Sequence, residues 1–352
     1  MQFSIVVPVY NRPQELEELL RSLEEQTYDA PFEVVVVDDG SAVRCETQCT
    51  KYAAHIAFTV RYYYKENGGP GPARNYGAAR AQGDYLLILD SDVVLPKGYL
   101  QAVADALAAS SADAFGGPDA AHPDFSPIQK AISYAMTSFF TTGGIRGGKK
   151  KLDKFYPRSF NLGIRREVFD SLGGFAPMRF GEDIDLSIRI FRGGYACRLF
   201  PEAWVWHKRR ATFRQFFKQV HNSGIARIIL YQKYPDSLKL VHLLPACFTI
   251  GVALLLLTFL VGLVLLLMQL SMGIAPYTWW LIGTPPALLG LYAALLFADA
   301  AWQNKSLRVG GLSVVAAFVQ LTGYGTGFLR AVWHCLIRGE RDFQAFRKTF
   351  YK

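Results

Sequence analysis

The stretch Leu86-Leu87-Ile88-Leu89-Asp90-Ser91-Asp92 decides how the chain folds, because an apolar run ends abruptly in two carboxylates. Gly83-Asp84 ahead of it supplies a turn, and the four apolar residues read as a buried strand of a parallel sheet. In open α/β sheets the ligand crevice lies at the carboxyl ends of the strands, where Asp90 and Asp92 fall. Two carboxylates one residue apart offer hard oxygen ligands to Mg²⁺ or Mn²⁺, and such an ion commonly binds substrate phosphates as well. The plainer reading is a solvated Asp-Ser-Asp turn that caps the next helix.

Moving outward, the preceding elements favour the site. Phe3 to Pro8 reads as a short apolar strand, followed by the loop Val9-Tyr10-Asn11-Arg12-Pro13. Glu15 to Gln26 reads as a helix, with Leu16, Leu19, Leu20 and Leu23 on one face. Phe32 to Val37 reads as a second strand, ending in Asp38-Asp39-Gly40-Ser41. A β-loop-α-β order implies a parallel sheet with crossover helices, so these polar strand ends converge on one edge. The run Asn67-Gly68-Gly69-Pro70-Gly71-Pro72 is a loop, and Ala73 to Ala81 reads as a helix that packs closely, with Arg74 at its start facing a phosphate or an acidic loop. The glycine spacing matches neither a dinucleotide fingerprint nor a P-loop.

Downstream, Tyr99 to Ala109 reads as a helix, and Gly143 to Lys151 as a mobile basic loop. Gly181-Glu182-Asp183-Ile184-Asp185-Leu186 opens an amphipathic helix. Acids in a first helical turn are favoured by the helix dipole, yet this many in one turn repel one another unless a cation or a reaction requires them. Ala203-Trp204-Val205-Trp206-His207 is strand-like, and His207 is either a third metal ligand or an ordinary histidine.

The C-terminal part is of another kind. Residues 211–240 form a basic amphipathic region, with Phe213, Phe216, Phe217, Val220, Gly224 and Ile228 at helical spacing, suited to an anionic membrane surface. From Leu243 to Ala298 there is no charged residue or histidine, and spans of about 20 residues fit at 243–267 and 277–297. A third apolar stretch, 309–329, carries Gly323, Gly325 and Gly327, which could break it into a re-entrant or interfacial piece. Arg330, Arg338, Arg341, Arg347, Lys348 and Lys352 favour a cytoplasmic tail. The expected organisation is a domain over 1–210, the interfacial region, and a membrane domain over 241–352.

The chain of 352 residues carries a net charge of +9, which the basic membrane-facing segments explain without nucleic acid. Met1 leads into the first strand with no basic leader, so the expectation is a catalytic domain that stays in the cytoplasm, with reduced cysteines.

Five motifs in order, Val7-Pro8-Val9-Tyr10-Asn11, Val37-Asp38-Asp39-Gly40-Ser41, Gly71-Pro72-Ala73-Arg74-Asn75, Asp90-Ser91-Asp92 and Gly181-Glu182-Asp183-Ile184-Asp185-Leu186, resemble those of family 2 glycosyltransferases with a GT-A fold. The resemblance covers about residues 3 to 210. It implies a mainly parallel sheet flanked by helices, and inverting transfer of a sugar from a nucleotide-diphosphate sugar, UDP being the commonest nucleotide there. Carried over by position, it implies that Pro8, Tyr10, Asn11, Asp38, Asp39, Arg74 and Asp90 bind the donor nucleotide. Asp92 would be the main ligand of Mn²⁺ or Mg²⁺, with Asp90 contacting the ribose or the metal, and His207 is the further candidate ligand that the residues themselves offer. Asp183 would be the general base, and Glu182 would position it or the acceptor. The Gln-x-x-Arg-Trp motif of processive members is missing: Arg214-Gln215-Phe216-Phe217-Lys218 is the nearest candidate and lacks its Arg and Trp.

The leading expectation is therefore a multi-pass enzyme of the cell (inner or plasma) membrane acting on a lipid-linked or glycan acceptor, with membrane lipids as further partners. Transfer to polyprenyl phosphate itself, which needs no base, and a non-catalytic membrane scaffold are the alternatives.

Overall fold

The computed structural model describes residues 1–53, 58–120, 122, 124–142, 155–272, 278–340 and 345–346. In chain order the elements are β1 (Phe3–Val9), α1 (Pro13–Glu24), β2 (Phe32–Asp39), α2 (Glu46–Ala53), β3 (Thr59–Lys65), α3 (Pro70–Ala78), β4 (Tyr85–Leu89), β5 (Val93–Val94), α4 (Tyr99–Ala109), β6 (Ala114–Gly116) and β7 (Asp119–Ala120). There follow α5 (Pro127–Thr137), α6 (Phe139–Thr142), β8 (Asn161–Arg165), α7 (Arg166–Ser171), α8 (Glu182–Arg192), β9 (Cys197–Leu199) and β10 (Val205–His207). Four long helices complete the described chain: α9 (Phe213–Lys233), α10 (Leu244–Met272), α11 (Thr278–Asn304) and α12 (Leu307–Ala331).

Two compact units result. The first comprises Met1–Pro123, Lys149–Lys208 and Gln344–Lys352, and the second Asp124–Gly148 and Arg209–Phe343. Residues 124–142, expected inside the first domain, thus group with the C-terminal helices. The reason is α5, whose Ala131, Ile132, Ala135 and Met136 share an apolar cluster with Phe216 and Val220 of α9 and Val309 and Ala316 of α12.

The first unit holds a seven-stranded sheet in the order β3-β2-β1-β4-β8-β6-β9. Pairing is parallel from β3 to β4 and antiparallel on both sides of β8, and β9 again runs parallel to β6. Strand alternation divides the core into two layers. Ile5, Val7, Val34, Val36, Leu87 and Leu89 face α1, α2 and α4. Val6, Val35, Val37, Leu86 and Ile88 face α3, α7 and α8. All four apolar residues of the opening stretch have no solvent exposure, and each such side chain contributes about 1.5–3 kcal/mol of burial. This is the expected α/β sheet flanked by helices. A strand over Thr59–Lys65 was not anticipated, because Arg61 and Lys65 interrupt its apolar pattern. A second, three-stranded sheet, β5-β10-β7, pairs His207 with Val93 in antiparallel register.

Within the second unit, α12 is one unbroken helix that continues as a π-helical turn from Val332 to Ile337. The expectation that its glycines break it is corrected. A Cβ on Gly323 would lie 2.6 Å from Val220 Cγ2, on Gly325 2.0 Å from Thr249 Oγ1, and on Gly327 2.0 Å from the His221 carbonyl oxygen. The missing side chains let α9 and α10 close onto α12 rather than bend it. By length and composition, Leu240–Met268, Thr278–Asn304 and Leu307–Ile337 are each long and apolar enough to cross a membrane. The expected basic loop at 143–151, the turn after Met272, and Arg341, Arg347, Lys348 and Lys352 lie outside the described residues.

Candidate active site

The expected strand-end convergence is present in the first unit. The loop after β1 is joined to the loop after β2 through Asn11, whose N–H donates to Ser41 Oγ at 2.8 Å and whose Oδ1 accepts from the Ala42 N–H at 2.8 Å. Asn11 adopts φ 54° to do so, a conformation that asparagine tolerates better than most residues. Tyr10 is exposed and Pro8 half-buried beside it.

The two aspartates after β2 behave differently from a solvated pair. Asp38 is fully buried, and accepts from the N–H groups of Ser41 (2.8 Å) and Cys45 (3.1 Å) and from the Tyr62 hydroxyl (2.9 Å). Its carboxylate holds the loop after β2. Asp39 accepts from Lys65 Nζ at 2.6 Å and from the N–H groups of Gly68 and Gly69 at 3.0 and 2.8 Å. It thereby ties the glycine-rich loop, and the start of α3 behind it, to the sheet edge.

Asp90, Asp92 and His207 come together, each offering one ligand atom within 4.8 Å of the others. The strand pairing of β10 with β5 explains how a residue so far along the chain arrives there: His207 sits opposite Val93, and the Lys208 N–H donates to the Asp92 carbonyl at 3.0 Å. His207 Nε2 lies 3.3 Å from Asp92 Oδ1, and its ring stacks on Phe160 with centroids 4.5 Å apart. Two carboxylates and an imidazole form a donor set that Mn²⁺ accepts, so these residues fit such an ion. The guanidinium of Arg12 pairs with Asp92 Oδ2.

Each carboxylate in the crowded first turn of α8 has its own arginine. Glu182 Oε1 accepts from Arg74 Nη1 at 2.8 Å, while Arg74 Nη2 donates to Asp90 Oδ1 at 2.7 Å. Arg74 is buried, 3% exposed, with its guanidinium 5.2 Å from the centre of the Phe175 ring. Asp183 lies 3.4 Å from Arg158 Nη1. Asp185 has no exposure and accepts from Arg189 Nε at 2.8 Å. The repulsion expected of the cluster is thus offset by three cations, Arg74 of α3, Arg158 of the segment before β8, and Arg189 of α8 itself. Burial raises the Glu182 pKa more than Arg74 lowers it, with Asp183 adding to the rise. The two flanking carboxylates hold the Arg74 guanidinium charged against its own burial.

The arrangement links a cation-binding set to an acidic helix start through one buried arginine. Arg12 and Arg158 escaped sequence reasoning. Arg12 stands in the loop motif itself, whereas Arg158 has no local signal.

Residues 4–173 match the family model described as glycosyl transferase family 2. Poly(ribitol-phosphate) beta-N-acetylglucosaminyltransferase TarS of Staphylococcus aureus is 38% identical over 102 residues, 29% of this chain and 18% of that protein. The probable glycosyltransferase YdaM of Bacillus subtilis is 27% identical over 228 residues, 61% of this chain and 53% of the relative. The chain therefore spans from under a fifth to about half the length of these curated relatives. Among solved structures, the mannosyltransferase PcManGT of Pyrobaculum calidifontis, in complex with GDP-Man and Mn²⁺, superposes with a TM-score of 0.54 at 19% identity, covering 94% of this chain and 87% of that one. That likeness is one of fold.

Proposed function

Because residues 4–173 match the family model of glycosyl transferase family 2, we propose that the chain is a membrane-anchored inverting glycosyltransferase using a nucleotide-diphosphate sugar and an acceptor hydroxyl on a lipid-linked or other glycan. The observation that carries this reading is the meeting of Asp90, Asp92 and His207 beside the helix start that bears Glu182 and Asp183.

In this reading Tyr10, Asn11 and Pro8 line the nucleoside pocket, and Asp39 shapes its floor through the loop of Gly68 and Gly69. Asp38 stiffens the neighbouring loop after β2 from within. Asp90, Asp92 and His207 would hold a divalent cation, Mn²⁺ or Mg²⁺, which would supply Lewis-acid stabilisation for a leaving diphosphate. Asp183, partly exposed, takes the proton of the acceptor hydroxyl as its oxygen attacks the anomeric carbon and the nucleoside diphosphate departs from the opposite face. One base and no covalent nucleophile are required. Glu182 and Arg74 keep that base and Asp90 in register. In this reading the N-terminal unit acts from the cytoplasmic face of the cell membrane, and the apolar helices anchor the chain in the membrane that carries the acceptor lipid.

The test is release of nucleoside diphosphate from a panel of nucleotide-sugars by the full chain in nanodiscs. One sugar nucleotide should be consumed in a cation-dependent manner. Consumption of none, with a membrane glycolipid extract supplied as acceptor, would overturn the reading.

A further inference from the structure

We propose that Arg12 is a built-in competitor for the divalent cation at Asp92, which makes cation binding depend on the arrival of the diphosphate. The inference rests on the reading of Asp90, Asp92 and His207 as the cation site and concerns how that site is regulated.

Asp92 has two oxygens and they face different partners. Oδ1 lies 3.3 Å from His207 Nε2, on the side of the ligand set, and Oδ2 pairs with Arg12 Nη1. The carboxylate is little exposed, at 9% of its side chain, so the pair is shielded from solvent on that side. A guanidinium is charged at every accessible pH. A divalent cation on the same carboxylate must either displace Arg12 from Oδ2 or bind Oδ1 with a positive charge against it. Either course weakens binding of the cation alone.

A diphosphate changes the balance. It brings several negative charges and planar oxygen pairs that a guanidinium binds well. Arg12 is able to turn to it: its side chain is 32% exposed, and it stands in the loop between β1 and α1 with its carbonyl, not its side chain, accepting from the Leu16 N–H. Arg74 is not able to do the same. Its side chain is 4% exposed and already bridges two carboxylates. The two arginines beside the site therefore differ in kind: Arg74 is fixed, and Arg12 exchanges one anion for another. By linkage, the factor by which diphosphate tightens the cation is also the factor by which the cation tightens diphosphate.

The experiment measures free Mn²⁺ by electron paramagnetic resonance during titration of the full chain in detergent, without nucleotide and with UDP or GDP, corrected for Mn²⁺ held by nucleotide in solution. In the unaltered protein either nucleotide should tighten Mn²⁺. Arg12→Gln should tighten Mn²⁺ about tenfold without nucleotide and shrink the nucleotide effect by a similar factor. Arg12→Lys, which keeps the charge, should stay near the unaltered protein and so separates charge from misfolding. Unchanged or weaker Mn²⁺ binding in Arg12→Gln, with the nucleotide effect intact, would overturn the inference alone. Absence of Mn²⁺ binding in every condition, or binding that survives in Asp92→Asn, would overturn the cation site and the inference with it.

Discussion

Arg74 carries the electrostatic connection between the two halves of the candidate site, and its environment makes sharp predictions. It is buried and paired with Asp90 and Glu182, so Arg74→Met leaves a buried carboxylate uncompensated. We expect a loss of about 3–5 kcal/mol, read as a fall in the denaturation midpoint of the N-terminal unit. Glu182 gives a pH dependence. Its folded pKa is raised above 4.5 by burial, so between the unfolded and folded values the native state binds more protons. Stability should therefore fall as pH rises from about 4.5 through the raised value. Glu182→Gln should flatten that slope; a slope that persists would place the titration elsewhere. The carboxylates themselves were legible because each motif is local. Their partners were not: Arg158 lies 25 residues from Asp183, and Arg12 80 from Asp92, and only the sheet order brings them together. His207 was open in the sequence for the same reason, since its place depends on pairing between β10 and β5.

At the scale of elements, hydrophobic spacing made α1, α4, β1, β2 and β4 readable, because each strand alternates between two buried layers. Local spacing does not encode long-range neighbours. The small residues of α3 were read as a close-packing face, and the contact they make is now visible: a Cβ on Gly77 would lie 2.5 Å from Val6 Cγ1 and 3.0 Å from Val37 Cγ2. Gly77→Ala should therefore cost about 1–3 kcal/mol despite alanine's better helix propensity. Thermal unfolding checks this, and an unchanged midpoint would mean that α3 recedes at no cost. The glycines of α12 misled in the opposite direction. Three of them within five residues read as a helix breaker, but they face α9 and α10 at distances no side chain fits. Local propensity lost to packing.

For the molecule as a whole, the charge-free interval from Leu243 to Ala298 was the most legible feature of the sequence. The grouping of α5 with the C-terminal helices was not, since nothing near Pro127 distinguishes it from a core helix of the first domain. The third apolar helix differs from the other two: 44% of its most apolar window is buried against protein, compared with 6% and 11%. Phe346, beyond it, packs on Phe180 with ring centroids 4.8 Å apart. Residue 346 and the rest of the first unit should then lie on one side of the membrane. Cysteines introduced at Ala345 and at the exposed Val43, in a Cys247→Ala background, should react with an impermeant label from the same face of sealed vesicles. Labelling from opposite faces would require an odd number of crossings.

In the proposed reaction one carboxylate set would hold the leaving diphosphate through a divalent cation, while a separate one takes the proton. The most direct test follows sugar transfer and Mn²⁺-dependent nucleotide binding side by side in Asp183→Asn and Asp92→Asn. Asp183→Asn should lower transfer by about 10²–10⁴-fold with nucleotide binding retained, and Asp92→Asn should lose both. Near-normal transfer by Asp183→Asn would contradict the account and favour an acceptor that is already an anion.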